Sequence, residues 1–186
     1  ILALIGLFSV FYSHPTRLLG NKSLRRFGKF KLLYLSLIWT VTTGLIPLLF
    51  RENDLKIDYL HIIVFAVHRL IFIGSIAFLF NIYDYDEDKE SGTNTFAVSW
   101  GQKRSLNIGK WSFLMLNLAA SAVFILFAGN ITTIFTIAVL IPSVSVFFLY
   151  ENFDPAEPES SFVLRHDGLI FIKALLLIFA SIMSKY

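Results

Sequence analysis

A bundle of membrane-spanning α-helices is the fold this sequence predicts, and three observations carry that prediction. Hydrophobic residues fill 56% of the 186 positions and charged residues only 16%, against about 25% charge in a soluble domain. Mean hydropathy is +0.69, and phenylalanine alone occurs 20 times. Uncharged runs recur at bilayer length, including residues 32–50 and the whole of 111–150. Cysteine is absent, which excludes a disulfide framework, a zinc–thiolate site and a cysteine nucleophile. The net charge of +3 is less informative than where the cations fall.

Residues 1–12 are apolar but give only about 18 Å of helix, short of about 30 Å of hydrocarbon. They are read as the end of a truncated transmembrane helix, so the chain is expected to be part of a longer protein. Ser13-His14-Pro15 ends that segment, because proline does not continue a helix interior. Residues 16–31 follow with Arg17, Lys22, Arg25, Arg26, Lys29 and Lys31 and no acid, which predicts a cytoplasmic loop. Residues 32–50 make about 28 Å of uncharged helix, enough to span, and Pro47 is tolerated near its end. After a short polar loop, residues 60–83 form a second span that carries His68 and Arg69 inside it.

Residues 84–110 read as a polar loop on the basic side, and 111–150 as two spans turning at Gly129-Asn130. An acidic, proline-containing loop follows over 151–167, with Asp167 expected to cap a last helix over about 168–184. The result is a single membrane domain over residues 1–186, with five full spans behind the truncated first helix. Eleven Lys and Arg residues then fall in loops on one side and three on the other, so the positive-inside rule puts the 84–110 loop in the cytoplasm. Tyr59, Trp100, Trp111 and Tyr150 are expected at the interfaces, and His14 and His61 in loops. Arg69 lies about 22 Å of helix from Asp84, too far to share a ligand with it, and is expected to face the bundle interior or snorkel, with His68 beside it. Lys173 is expected to snorkel to the surface near the entrance of the last helix, with a ligand contact as its other role.

One stretch carries chemistry. Asp84 to Glu90 holds five of the chain's 13 acidic residues, directly after an apolar run ending at Phe80. A calcium loop of the EF-hand type needs Gly sixth and Glu twelfth. Counted from Asp84 those positions are Lys89 and Thr95, so that reading fails. A solvated acidic loop is the bland alternative, and spacing argues against it. If the preceding helix continues, Asn81, Asp84 and Asp88 share one face at i, i+3 and i+7. Three oxygen-bearing side chains there suit Mg²⁺, which takes carboxylates and commonly completes its shell with phosphate oxygens. Gly92 permits a sharp turn, Asn94 and Thr95 can cap the next element or touch a polar ligand, and the basic loop can supply cations to a diphosphate.

The run Asp84-Tyr-Asp86-Glu-Asp88-Lys-Glu-Ser-Gly92-Thr-Asn-Thr95-Phe-Ala-Val-Ser-Trp-Gly101 resembles the second aspartate-rich motif of the UbiA-type intramembrane prenyltransferases. Tyr12-Ser13-His14-Pro15-Thr16-Arg17 is similar to the segment after that family's fourth helix, with Thr16 where the family often has Lys. The resemblance implies helices four to nine of a nine-helix fold, with the first three helices and the first aspartate motif expected outside this chain. These 186 residues alone are then expected to bind metal weakly and catalyse nothing.

It further implies Mg²⁺-dependent transfer of a polyprenyl group from a polyprenyl diphosphate donor to a lipophilic or aromatic acceptor within the bilayer, with no nucleic acid partner. Asp84 and Asp88 become the catalytic Mg²⁺ ligands. Tyr12, Arg17, Lys22, Asn81, Asp86, Thr95 and Lys173 become candidate substrate contacts. The competing reading is a non-enzymatic membrane protein, such as a transporter piece using the acids as a cation site. A transporter more often places carboxylates near the bilayer midplane between paired broken helices, and here the acids follow the end of a span.

Overall fold

Seven α-helices, one of them running on into a π-helical stretch, make up the regular structure in the computed structural model, which describes residues 28–46, 59–127 and 132–183. The expectations for Tyr12, Arg17, Lys22, the truncated first helix, Pro47 and the Gly129-Asn130 turn lie outside those residues. In chain order the helices are α1 (Gly28–Thr40, continued by the π-helical Val41–Leu45), α2 (Tyr59–Tyr83), α3 (Tyr85–Glu90), α4 (Phe96–Trp100), α5 (Gln102–Phe127), α6 (Thr133–Glu151) and α7 (Glu159–Met183). There is no strand among the described residues. Three of the helices, α2, α5 and α6, are long and apolar enough to cross a membrane. The all-α, multi-pass bundle read from the sequence therefore holds.

The packing is organised around α2, which touches α1, α5 and α6, while α7 packs against α6. The reason lies in its sequence. From Phe72 to Ile82 it is apolar on nearly every side, and a helix of that kind must be covered on several faces. Phe72, Ile73, Ile76, Phe78, Leu79 and Ile82 form the core with Val146 and Tyr150 of α6 and Phe162 and Leu169 of α7. Nearer its start, Tyr59, Leu60, Ile63 and Val67 are exposed, as apolar residues facing lipid would be.

Several boundaries differ from the sequence reading. The 84–110 segment is mostly helical, holding α3, α4 and the first turns of α5, which starts at Gln102 rather than near 111. Absence of charge marks where a helix lies in hydrocarbon, but the helix itself continues into the headgroup region, where Lys103, Arg104 and Lys110 are at no disadvantage. Likewise α7 begins at Glu159, its first turn closed by Ser161 and Phe162 N–H groups donating to Pro158 O. Asp167 is therefore two turns inside α7 and caps nothing. His61 lies on α2, not in a loop. Tyr150 is not an interface residue: it is buried, and its hydroxyl donates to Ser75 O at 2.6 Å, the partner a buried tyrosine needs.

The start of α1 is held against the loop ahead of α4. A Cβ on Gly28 would lie 2.2 Å from Asn94 O and 2.6 Å from Thr95 N, so only glycine allows this approach. Gly28→Ala is expected to push α1 away from the loop and cost about 1–3 kcal/mol. Thermal unfolding of the detergent-solubilised protein measures this, and an unchanged midpoint would rule out the close contact.

Candidate functional site

The acid-rich stretch continues α2 with one interruption. The Asp84 N–H donates to Phe80 O at 2.9 Å, and the Asp88 N–H donates to Asp84 O at 2.8 Å. Asp84 itself sits at φ −76°, ψ 10° before α3 begins. The near-continuous ladder places Asn81, Asp84 and Asp88 along one side, as their spacing predicted. Gly92, at φ +71°, turns the chain out of α3. Thr95 then caps α4, its Oγ1 accepting from Val98 N at 3.3 Å. Of the two roles open to Thr95, capping is the one its contacts display. Asp86 is exposed on α3.

The residue that completes the cluster was not singled out from sequence. Lys31, on the first turn of α1, lies with its Nζ 2.8 Å from Asp84 Oδ2 and 3.7 Å from Asp88 Oδ1. Lys31 and Asp88 are buried at 6% and 4% exposure. One ammonium thus serves two carboxylates in a place where a bare charge would be costly. The available signal was position: Lys31 is the last cation of the acid-free basic run and immediately precedes the apolar span.

Beside them, Asn81 is buried, its Nδ2 donating to Ala77 O at 3.5 Å, while its Oδ1 has no hydrogen-bond partner among the described residues. An amide oxygen left that way is costly unless something else meets it. Among the described residues no group of three acidic, His or Cys side chains is placed to hold a metal. The protein's own donors at this point are two carboxylates and one amide oxygen. That set fits a hard divalent cation that draws the rest of its shell from water or phosphate.

Two apolar grooves flank α1 beneath this cluster. The larger, about 410 Å³, is lined by Leu32, Leu33 and Ser36 of α1, Gly74 of α2, Phe96 of α4 and Phe113 of α5, with Lys29 among its residues. The smaller, about 210 Å³, is lined by Leu35 and Trp39 of α1, Ala77 and Phe80 of α2, and Asp167 and Ile170 of α7. Helical periodicity joins both to the charges. Gly74, Asn81 and Asp88 repeat every seven residues, as do Ala77 and Asp84, and Lys31, Leu35 and Trp39 every four. The arrangement suits an amphiphile with a polyanionic head and a hydrocarbon tail.

Lys173 does not join this cluster, nor does it snorkel. With α7 starting at Glu159, it lies about 21 Å along the helix. It is buried, with Nζ 3.6 Å from the centre of the Phe72 ring and 3.4 Å from His68 Nε2. His68 stacks on Phe124 and also meets Ser121 Oγ, at 3.3 Å, which pairs with Ser143 Oγ at 2.9 Å. This second polar cluster ties α2, α5, α6 and α7 together, and His68 is about 24 Å of helix from Asp84. Arg69 is half-buried, with Nη2 donating to Thr43 Oγ1 at 2.6 Å on the π-helical stretch.

Residues 1–175 match the family model described as UbiA prenyltransferase family. No curated protein and no solved structure matches the chain.

Removing the shared ammonium tests the cluster directly. Lys31→Met is expected to destabilise the protein by about 3 kcal/mol, the scale for breaking a buried ion pair from one side, and Lys31→Arg to recover most of it. Melting curves of the solubilised variants decide, and a Met variant as stable as the parent would remove Lys31 from the site.

Proposed function

The chain belongs to the UbiA prenyltransferase family, and on that premise we propose that it uses Mg²⁺ bound by Asp84 and Asp88 to transfer a polyprenyl group from its diphosphate to a lipophilic or aromatic acceptor within the bilayer. The observation that carries this reading is the Lys31 ammonium lying between Asp84 and Asp88, directly above two apolar grooves. A cation already occupies the position between the two carboxylates, and Asn81 Oδ1 stands ready beside them without a partner among the described residues. Bound there, Mg²⁺ supplies charge neutralisation to the departing diphosphate.

The protein's own groups set the conditions for that chemistry. Asp84, Asp88 and Asn81 hold the metal at the mouth of the grooves. Lys31 exchanges its carboxylate partners for diphosphate oxygens when substrate arrives, and so stays paired in both states. Arg17 and Lys22 of the basic segment, and Tyr12 ahead of it, are the further candidate contacts to the diphosphate that the family resemblance names. Asp86, exposed one residue-pair along, takes an outer contact to the head. Thr95 acts through α4: by capping it, it fixes Phe96 in the wall of the larger groove. The apolar walls align the prenyl chain and exclude water, so that the allylic cation formed when its carbon–oxygen bond breaks meets the acceptor first. Lys173 serves the far end of the bundle with His68. The metal-binding end faces the cytoplasm, in keeping with the basic loops that share it.

In the full-length protein, Asp84→Asn or Asp88→Asn is expected to lower transfer from a labelled polyprenyl diphosphate by about 100-fold or more. Chelation of Mg²⁺ should do the same to the unaltered protein. Undiminished turnover in either variant sinks the metal assignment.

A further inference from the structure

Two cations stand at the middle of the bundle, and no acid of the described helices meets them. Arg69 is ten residues from Tyr59 at the start of α2, and Lys173 is ten residues from Met183 at the end of α7. Each is therefore about 15 Å of helix from that end, half of the hydrocarbon thickness of about 30 Å. Helices α1, α2 and α5 carry no acid, and α6 has only Glu151, at its last position. On α7, Asp167 is exposed and six residues before Lys173. That spacing puts it about 9 Å nearer the charged end and on another side of the helix. Charges at this depth are costly, and those that persist are paired or mark a site.

Arg69 and Lys173 both border one small enclosed space between α2, α5 and α7. With His68 they are its polar lining, and the rest is aliphatic or aromatic, including Phe72 and Phe124. The space measures about 10 Å³, room for a single water-sized or monatomic guest. A phosphate or an organic acid is too large for it. Donors are left over for such a guest. Lys173 is 4% exposed, and its ammonium has three N–H groups. Among the described residues its Nζ makes one long hydrogen bond, 3.4 Å to His68 Nε2, and lies 3.6 Å from the centre of the Phe72 ring. Arg69 Nη2 donates to Thr43 Oγ1, while the buried Nε has no partner among the described residues.

We propose that this space binds one halide ion, chloride in the cell, between the Lys173 ammonium and the Arg69 guanidinium. Charge decides between the two kinds of guest that fit. A water molecule leaves both cations unneutralised. Chloride accepts from several N–H donors at once and cancels one of the two positive charges. In a low-dielectric interior that attraction is far stronger than in water. Bound there, the ion ties α7 to α2 at a depth about 22 Å of helix from Asp84, beyond reach of the carboxylate cluster. The site is independent of the prenyl-transfer reading.

The test uses the full-length protein in detergent, with chloride exchanged for gluconate at constant ionic strength. Chloride is expected to raise the melting midpoint by about 5 °C and to saturate as a single bound ion does. Bromide should replace it. Equilibrium dialysis with radioactive chloride should retain one ion per chain. Arg69→Gln and Lys173→Met should each weaken that retention by about tenfold or more, the scale of a lost hydrogen bond to a charged group. Arg69→Lys, which keeps the charge, should recover part of it, and Lys103→Gln, outside the cavity, should leave it unchanged. A parent protein that melts alike in both salts and retains no labelled ion overturns the proposal, whatever the variants do. A halide effect of full size in both Arg69→Gln and Lys173→Met overturns it as well, because the ion is then bound elsewhere.

Discussion

Everything at the charged end of this bundle depends on one ammonium group held between two carboxylates. Lys31 reaches Asp84 and Asp88 because the first turn of α1 is drawn against the loop that follows the acidic stretch. That approach exists because Gly28 carries no side chain to collide with Asn94. The pairing allows acids to sit at the end of a membrane helix without the penalty that isolated charges carry there. It also sets α1 against α2 so that apolar faces of both continue downward from the charges. A charged mouth and an oily interior are thus consequences of the same contact.

The bundle below is built for positional accuracy in a solvent that offers little hydrophobic drive between helices. Close packing and a few buried polar contacts supply it instead. The Tyr150 hydroxyl reaches a backbone oxygen of α2, and Tyr83 donates to Glu157 O at 2.8 Å just ahead of α7. The stack of Tyr83 on Phe162 locks the entry of α7 to the exit of α2. Such contacts hold the start of α7 at a fixed depth relative to the acidic stretch that follows α2.

Much of this is legible in the sequence. Uncharged runs of bilayer length announce the membrane helices, and the i, i+3, i+7 spacing of Asn81, Asp84 and Asp88 is enough to put them on one side. Gly92 reads as a turn and is one. The departures share a cause. Charge content shows where hydrocarbon ends, whereas a helix ends where its backbone is capped or broken. Hence α5 and α7 both begin about nine residues before the apolar run does, Asp167 moves from a cap to a groove wall, and Lys173 moves from the surface to the interior. Lys31 is illegible for a different reason. Its partners are 53 and 57 positions away in the chain, and only its place at the end of the basic run sets it apart from the five other cations of its segment.

The cluster of His68, Ser121, Ser143 and Lys173 draws one residue from each of four helices, and the last of these is on the final helix of the described chain. In a protein that enters the membrane from its N-terminal end, the histidine and two serines find one another once α2, α5 and α6 have met, and α7 then adds the ammonium of Lys173 to a prepared polar place. If α7 seats one turn out of register, it is Lys173 that loses its partners, His68 and the Phe72 ring, and a buried ammonium without them is costly.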